Sequence, residues 1–195
     1  MKIASIVEGD GEVIALPILL RRLAEWRTPE HYQDVSTPIR VRRDRFLNRD
    51  DEFQRHLLLA ASKCGNDGWI LVLLDADDDC PATRSAEILH RAQACVPHRR
   101  ISVVLANCEY EAWFIAAAAS LNGHRGFVFD LLDTIEPESR RNAKGWITSH
   151  MVDRAYGETT DQPAFTARID LQLTFDHSRS FRKLCSEWDR HSLGG

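Results

Sequence analysis

The chain has little lysine, no paired cysteine motif and no long apolar run, and each shortage excludes something. Of its 25 basic side chains, 21 are arginine and only 4 are lysine. Against 29 acidic residues they leave a formal net charge of -4 and a pI near 6.1, which is not the strongly basic footprint of a simple nucleic-acid-binding module. No stretch approaches the roughly 18 apolar residues a membrane span needs, so no membrane association is expected. Met1–Asp10 lacks the long apolar run behind a basic start that marks a signal peptide. The five cysteines, Cys64, Cys80, Cys95, Cys108 and Cys185, contain no C-x-x-C pair, which argues against a structural zinc site. Their odd number fits reduced thiols in a cytoplasmic protein better than a disulfide framework. No G-x-x-x-x-G-K-[ST] cradle for ATP and no G-x-S-x-G nucleophile elbow occurs, and the eight histidines are scattered.

What remains is an ordinary globular composition, 44% hydrophobic and 28% charged over 195 residues, enough for one compact domain with a real core. Arginine's planar fork suits phosphate and carboxylate, although a GC-rich genome would produce the same surplus.

The pattern along the chain predicts alternating strands and helices. Lys2–Val7 reads as a buried strand ended by Gly9 and Gly11, and Val13–Trp26 as a helix with Pro17 tolerated in its first turns. Pro38–Val41 is a weaker strand and Asp50–Ser62 a helix. Trp69–Leu74 is continuously apolar, as a strand covered on both faces would be. Pro81 opens a helix to about Ala94, Ile101–Leu105 is another buried strand, and Glu109–Leu121 a helix. That alternation predicts an α/β core over residues 1–121 with a mostly parallel sheet flanked by helices. Beyond it, residues 122–195 read as a helical portion packed on the core, with helices near Glu138–Lys144, Ile147–Tyr156, Pro163–Leu173 and Ser180–Arg190. Trp113, Phe114 and Trp188 read either as core or as a docking face.

Three predicted strands end in acid: Glu8 with Asp10 and Glu12, then Asp75, Asp77, Asp78 and Asp79, then Glu109 and Glu111. Parallel strands would bring all three groups to one edge, where α/β sheets collect ligands. Carboxylates crowded together repel one another, and a hard divalent ion such as Mg²⁺ resolves the repulsion. Two ions about 3.5–4 Å apart would clamp both the attacking and leaving oxygens of a phosphodiester. In an extended strand, residues 75 and 77 share a face, so Asp75 and Asp77 are expected to approach one site together. Other roles stay open for several acids. Asp10 and Glu12 suit the start of the first helix, Asp79 could cap the helix before Pro81, and one of Glu109 and Glu111 could be a helix-start charge. The run Arg40-Val-Arg42-Arg43-Asp-Arg45 is the candidate phosphate-binding segment, or else a solvated edge. Lys144, alone in a broken segment, is left out of the candidate set.

Val7-Glu8-Gly9, then Glu12, with Asp75-x-Asp77 far downstream at a strand end, resembles the Toprim domain of topoisomerases, primases and OLD-type nucleases. The segment Ala106-Asn-Cys-Glu-Tyr-Glu-Ala-Trp-Phe114 and the tail motif Ser178-x-Ser180-Phe181-Arg-Lys-Leu184 resemble a small stand-alone bacterial branch of that superfamily. The resemblance implies a Toprim-like, Rossmann-like fold and Mg²⁺- or Mn²⁺-dependent phosphodiester hydrolysis on DNA or RNA. On that reading Glu8, Asp75 and Asp77 are catalytic. One or two ions are held by Glu8, Glu12, Asp75, Asp77, Asp79 and Glu111, while Arg40, Arg42, Arg43 and Arg45 meet the nucleic acid. The resemblance also implies a separately encoded ATPase partner and a place in antiphage defence. The alternative is a non-catalytic metal- and nucleic-acid-binding subunit docking on such an ATPase. A phosphoacceptor receiver is disfavoured, because no strand-end lysine matches its pattern.

Overall fold

The computed structural model describes residues 1–130, 132, 135–138 and 141–192. Strand β1 (Lys2–Val7) runs into helix α1 (Asp10–Arg27). Two short strands follow, β2 (Asp34–Val35) and β3 (Ile39–Arg40), then helices α2 (Arg43–Asn48) and α3 (Asp50–Cys64). Next come β4 (Trp69–Asp75), α4 (Pro81–Cys95) and β5 (Arg100–Ala106). Every pairing between these strands is parallel, in the order β2-β1-β4-β5, with β3 also on β1. β2 and β3 occupy successive stretches of one β1 edge, against Lys2–Ile3 and Ile6–Val7. Pro38 lies in the gap between them, where it has no N–H to give a ladder.

Strand alternation sorts the side chains into two layers. Ile3, Val7, Trp69, Leu71, Leu73 and Val104 face one core, shared with Leu16, Leu19 and Leu23 of α1. Ala4, Ile6, Ile70, Val72, Leu74, Val103 and Leu105 face the other, shared with Phe53 and Leu57 of α3 and Ile88 of α4. A sheet covered on both faces explains why β4 is apolar at every position up to Asp75. Asp75 belongs by register to the α1 side of the sheet.

The α1-side core also takes in the chain's second half. Helices α5 (Ala112–Ala116), α6 (Ala118–Leu121), α7 (Ala143–Ser149), α8 (Glu158–Thr166), α9 (Leu171–His177) and α10 (Arg179–Ser192) follow β5. Trp113, Phe165, Phe181, Leu184 and Trp188 from these helices sit in one cluster with Ile3, Leu16 and Trp69. Trp113 and Trp188 are wholly buried and Phe114 nearly so, so these rings are core and offer no docking face. The two sequence motifs meet here. Trp113 Nε1 donates to Ser180 Oγ at 2.9 Å, and the Trp113 and Phe181 rings meet edge to face. Ser178 Oγ accepts from the Phe181 N–H, as a helix-capping serine does.

Several expected helices are cut short. The helix expected over Glu109–Leu121 breaks at Ala117, beside the Ala116 carbonyl that His177 Nδ1 contacts at 3.0 Å. The helix expected over Ile147–Tyr156 stops at Ser149, because the backbone beyond it pairs with residues 126–128 instead: Val128 N donates to His150 O and Val152 N to Gly126 O. The helix expected from Pro163 starts at Glu158, where Asp161 accepts from the Gly157 N–H, and ends at Thr166 before α9. Within the helix expected near Glu138–Lys144, Ser139 and Arg140 lie outside the described residues, and helix begins only at Ala143. The arginine run expected to be a phosphate-binding segment or a solvated edge divides between β3, which ends at Arg40, and helix α2, which begins at Arg43.

Gly11 does not simply end β1. It lies inside α1, where α8 crosses so closely that a Cβ would stand 2.1 Å from Gln162 Oε1 and 2.7 Å from the Glu158 carbonyl. Gly11→Ala is therefore expected to destabilise the fold by about 1–3 kcal/mol through overpacking, measured as a lower urea midpoint. Gly9→Ala, whose Cβ would have 3.6 Å of room, should shift the midpoint far less.

Candidate functional site

The carboxyl ends of β1, β4 and β5 lie side by side, and acid follows each one. Asp75, the last residue of β4, is 6% exposed, and its Oδ1 accepts from the Tyr110 N–H at 2.8 Å. Glu12, one turn into α1, is 3% exposed, and its Oε2 accepts from the Glu8 and Gly9 N–H groups at 3.0 Å each. Glu111, just before α5, is fully buried, and its Oε1 accepts from Tyr156 Oη at 3.0 Å and Gln162 Nε2 at 3.2 Å. Glu8 is part-buried at the mouth. Two oxygens in this group are buried with no hydrogen-bond partner, Glu8 Oε2 and Glu111 Oε2.

The electrostatics follow from this crowding. Burial, then the charges of Glu12 and Asp77, pushes the Glu8 carboxyl up to about 7. Burial likewise raises Glu111 to about 7. Asp75 is held well above the usual carboxylate range, by burial and by Glu12, Glu111 and Glu8. Glu12 is raised by burial, against the pull of its two backbone donors. One cation opposes all four: the charge of Lys144, in the first turn of α7, draws each of them down. Its Nζ pairs with Glu158 at 2.7 Å, and Glu111 and Asp75 are among the charges that hold its own pKa up. Sequence reasoning passed over Lys144; its one signal was rarity, as one of four lysines.

The other candidates divide. Asp77 does not reach the site by strand alternation, because its backbone turns left-handed at φ 51° directly after β4. The side chain is 58% exposed and pairs with Arg43 at 3.1 Å, though its charge still acts on Glu8. Aspartate is among the few residues that tolerate this conformation. Asp79 pairs with Arg43 at 2.9 Å and stands 3.8 Å from Arg84; it does not cap α4, whose N-cap position is Cys80. Glu109 accepts the Lys144 N–H at 3.0 Å, at the start of α7 and not of its own helix, while Glu111 occupies the N-cap position of α5 and joins the buried group. Arg43 belongs to the acidic edge, fastened to Asp77 and Asp79 and 4.0 Å from Glu8. Arg40 bonds the Glu8 carbonyl and pairs with Asp10. Arg42 and Arg45 face a separate hollow with Arg55 and His56.

The donor set is the kind a hard divalent ion takes, all carboxylate oxygen, and the two orphaned oxygens lack a partner such an ion would be. The cage is not closed: among the described residues, no three His, Cys, Asp or Glu side chains already stand close enough together to hold an ion.

The fold and this site define an α/β protein with a carboxylate-lined sheet end. The chain belongs to the family described as a domain of unknown function (DUF4276), which it matches over residues 7–188, a span that takes in every residue of the buried cluster. No curated protein and no solved structure matches it.

The raised acids make stability depend on pH in a definite direction. Between the usual value of 4.5 and about 7, folded Glu111 holds more proton than unfolded Glu111, so stability falls as pH rises through that window. Glu111→Gln keeps an acceptor for Tyr156 and removes the titration. The melting temperature of the metal-free wild type, relative to Glu111→Gln, should therefore drop between pH 5 and pH 8. A constant difference would show that Glu111 does not titrate there.

Proposed function

We propose that this chain is a Mg²⁺- or Mn²⁺-dependent phosphodiesterase acting on DNA or RNA. The carrying observation is the convergence of Glu8, Glu12, Asp75 and Glu111 at one end of a parallel sheet, with two buried oxygens unpartnered. Strongly shifted titratable groups cluster at functional sites. The resemblance of Val7-Glu8-Gly9, Glu12 and Asp75-x-Asp77 to the Toprim pattern supports the same chemistry. It also supports a separately encoded ATPase partner and a place in antiphage defence, while the free cysteines support a cytoplasmic location.

On this reading Glu8, Asp75 and Glu111 would have to draw closer together to hold the ion, with Asp77 and Asp79 at the rim. A bound divalent ion supplies Lewis-acid polarisation of the phosphoryl oxygen and a more acidic water. Glu8 Oε2, which accepts no hydrogen bond, would be the oxygen that takes the proton of the attacking water. Glu12 fixes the Glu8 backbone through its two accepted hydrogen bonds, which sets where the Glu8 side chain starts. The Tyr110 N–H holds Asp75 Oδ1 and leaves the other oxygen for the site. Lys144 keeps a positive charge facing the group as phosphate arrives.

The test uses plasmid, single-stranded DNA and RNA with Mg²⁺ or Mn²⁺, and EDTA as control. Wild type is expected to cleave at least one of them. Asp75→Ala should be slower by about 10²-fold or more, on the scale of losing a catalytic group. Equal cleavage by both proteins would end the reading. Mg²⁺ should also raise the melting temperature of wild type and not of Asp75→Asn, a readout that needs no substrate.

A further inference from the structure

Beside the acidic edge lies a hollow of opposite sign. Its volume is about 280 Å³, and Arg40, Arg42, Arg45, Arg55 and His56 line it. The one carboxylate there, Glu52, is already paired with Arg55 at 2.8 Å. Val41 and Phe46, both nearly fully buried, form the apolar part of the lining. Among the described residues, the side chains of Arg42 and Arg45 meet no acidic partner. Arg40 is paired with Asp10 and Arg55 with Glu52, so the guanidinium groups of Arg42 and Arg45 carry the unneutralised charge, and an anion with several oxygens would fill their planar forks.

We propose that this hollow binds the terminal phosphate monoester of a nucleic-acid strand, an inference that rests on the hydrolytic reading above. The charge favours an end over an interior link. A monoester carries about -1.5 to -2 near neutral pH and three free oxygens, whereas each linkage within a strand carries a single negative charge. The hollow is also joined to the carboxylates. Arg40 lines it and bonds the Glu8 carbonyl at 3.2 Å, and β3 delivers it there by pairing Arg40 with Val7. A strand held by its phosphorylated end would therefore present its first linkages to the acidic edge, so that cleavage is measured from an end.

The experiment reads binding without cleavage. A short single-stranded oligodeoxynucleotide of one sequence is prepared with a 5′-phosphate, a 3′-phosphate or hydroxyls at both ends, each labelled internally. Fluorescence anisotropy in EDTA gives its affinity for the full chain and for an Arg42→Ala/Arg45→Ala variant. These side chains are exposed, and the circular dichroism melt of the variant confirms its fold. One phosphorylated form should bind about tenfold tighter than the hydroxyl form, the scale of charge-assisted bonds to phosphate. That preference should vanish in the variant. Inorganic phosphate should weaken the phosphorylated form selectively, and the two phosphorylated arms tell which end is read. Equal affinity of all three oligonucleotides, or a preference that survives in the variant, would overturn the proposal. Metal-dependent cleavage without end preference removes this inference and leaves the hydrolytic reading. End preference without cleavage in the plasmid and strand assays does the reverse.

Discussion

Four crowded carboxylates, three of them buried, cannot all ionise at one end of a sheet beside Lys144 and Arg43 without a large electrostatic penalty, and much of the molecule is arranged around that constraint. Asp75 and Glu12 are held by backbone N–H groups, Glu111 by Tyr156 and Gln162. These supports come from the β1–α1, β5–α5 and α7–α8 connections and from α8 itself. Gln162 stands close enough only because α1 carries glycine where α8 crosses it. Such crowding works against the stability of the fold, the usual relation between stability and a strained cluster of this kind.

The second half of the chain makes this possible. Lys144, Tyr156, Glu158 and Gln162 all come from beyond residue 121, and the helices bearing them rest on the same core as β1 and β4. The Trp113–Ser180 bond and the three hydrogen bonds that Ser178 and Ser180 give Glu138 Oε1 tie α5 to the start of α10. The tail motif thus contributes packing and capping, and does so at a distance from the acids.

Strands were legible because burial on both faces leaves β4 continuously apolar up to Asp75, and β1 and β5 apolar after their first residues except at Ser5 and Ser102, and parallel pairing then brings Glu8, Asp75 and Glu111 together. The rest depended on backbone events that leave no periodic trace. Asp75-Ala-Asp77 reads as an extended pair, yet the left-handed turn at Asp77 sends its side chain to Arg43. Lys144 sits in a stretch with no hydrophobic repeat, so nothing local announces that tertiary packing carries it to the acids. Arg55 and His56 look like ordinary polar positions of a helix, and only the placement of α3 beside α2 sets them facing Arg42 and Arg45. The same packing splits the basic run between two tasks.

Arg43 clasps Asp77 and Asp79 at the surface, where those side chains are 58% and 47% exposed, while Asp75 and Glu12 lie beneath in nearly dry surroundings. Dissolved ions act on these two layers unequally. At physiological ionic strength the Debye length is about 8 Å, and exposed pairs are screened far more than buried ones. Added salt therefore slackens the outer clasp and leaves the inner repulsion close to full strength. The acidic end of the sheet loosens from the outside inward, with its rim becoming mobile well before its buried floor.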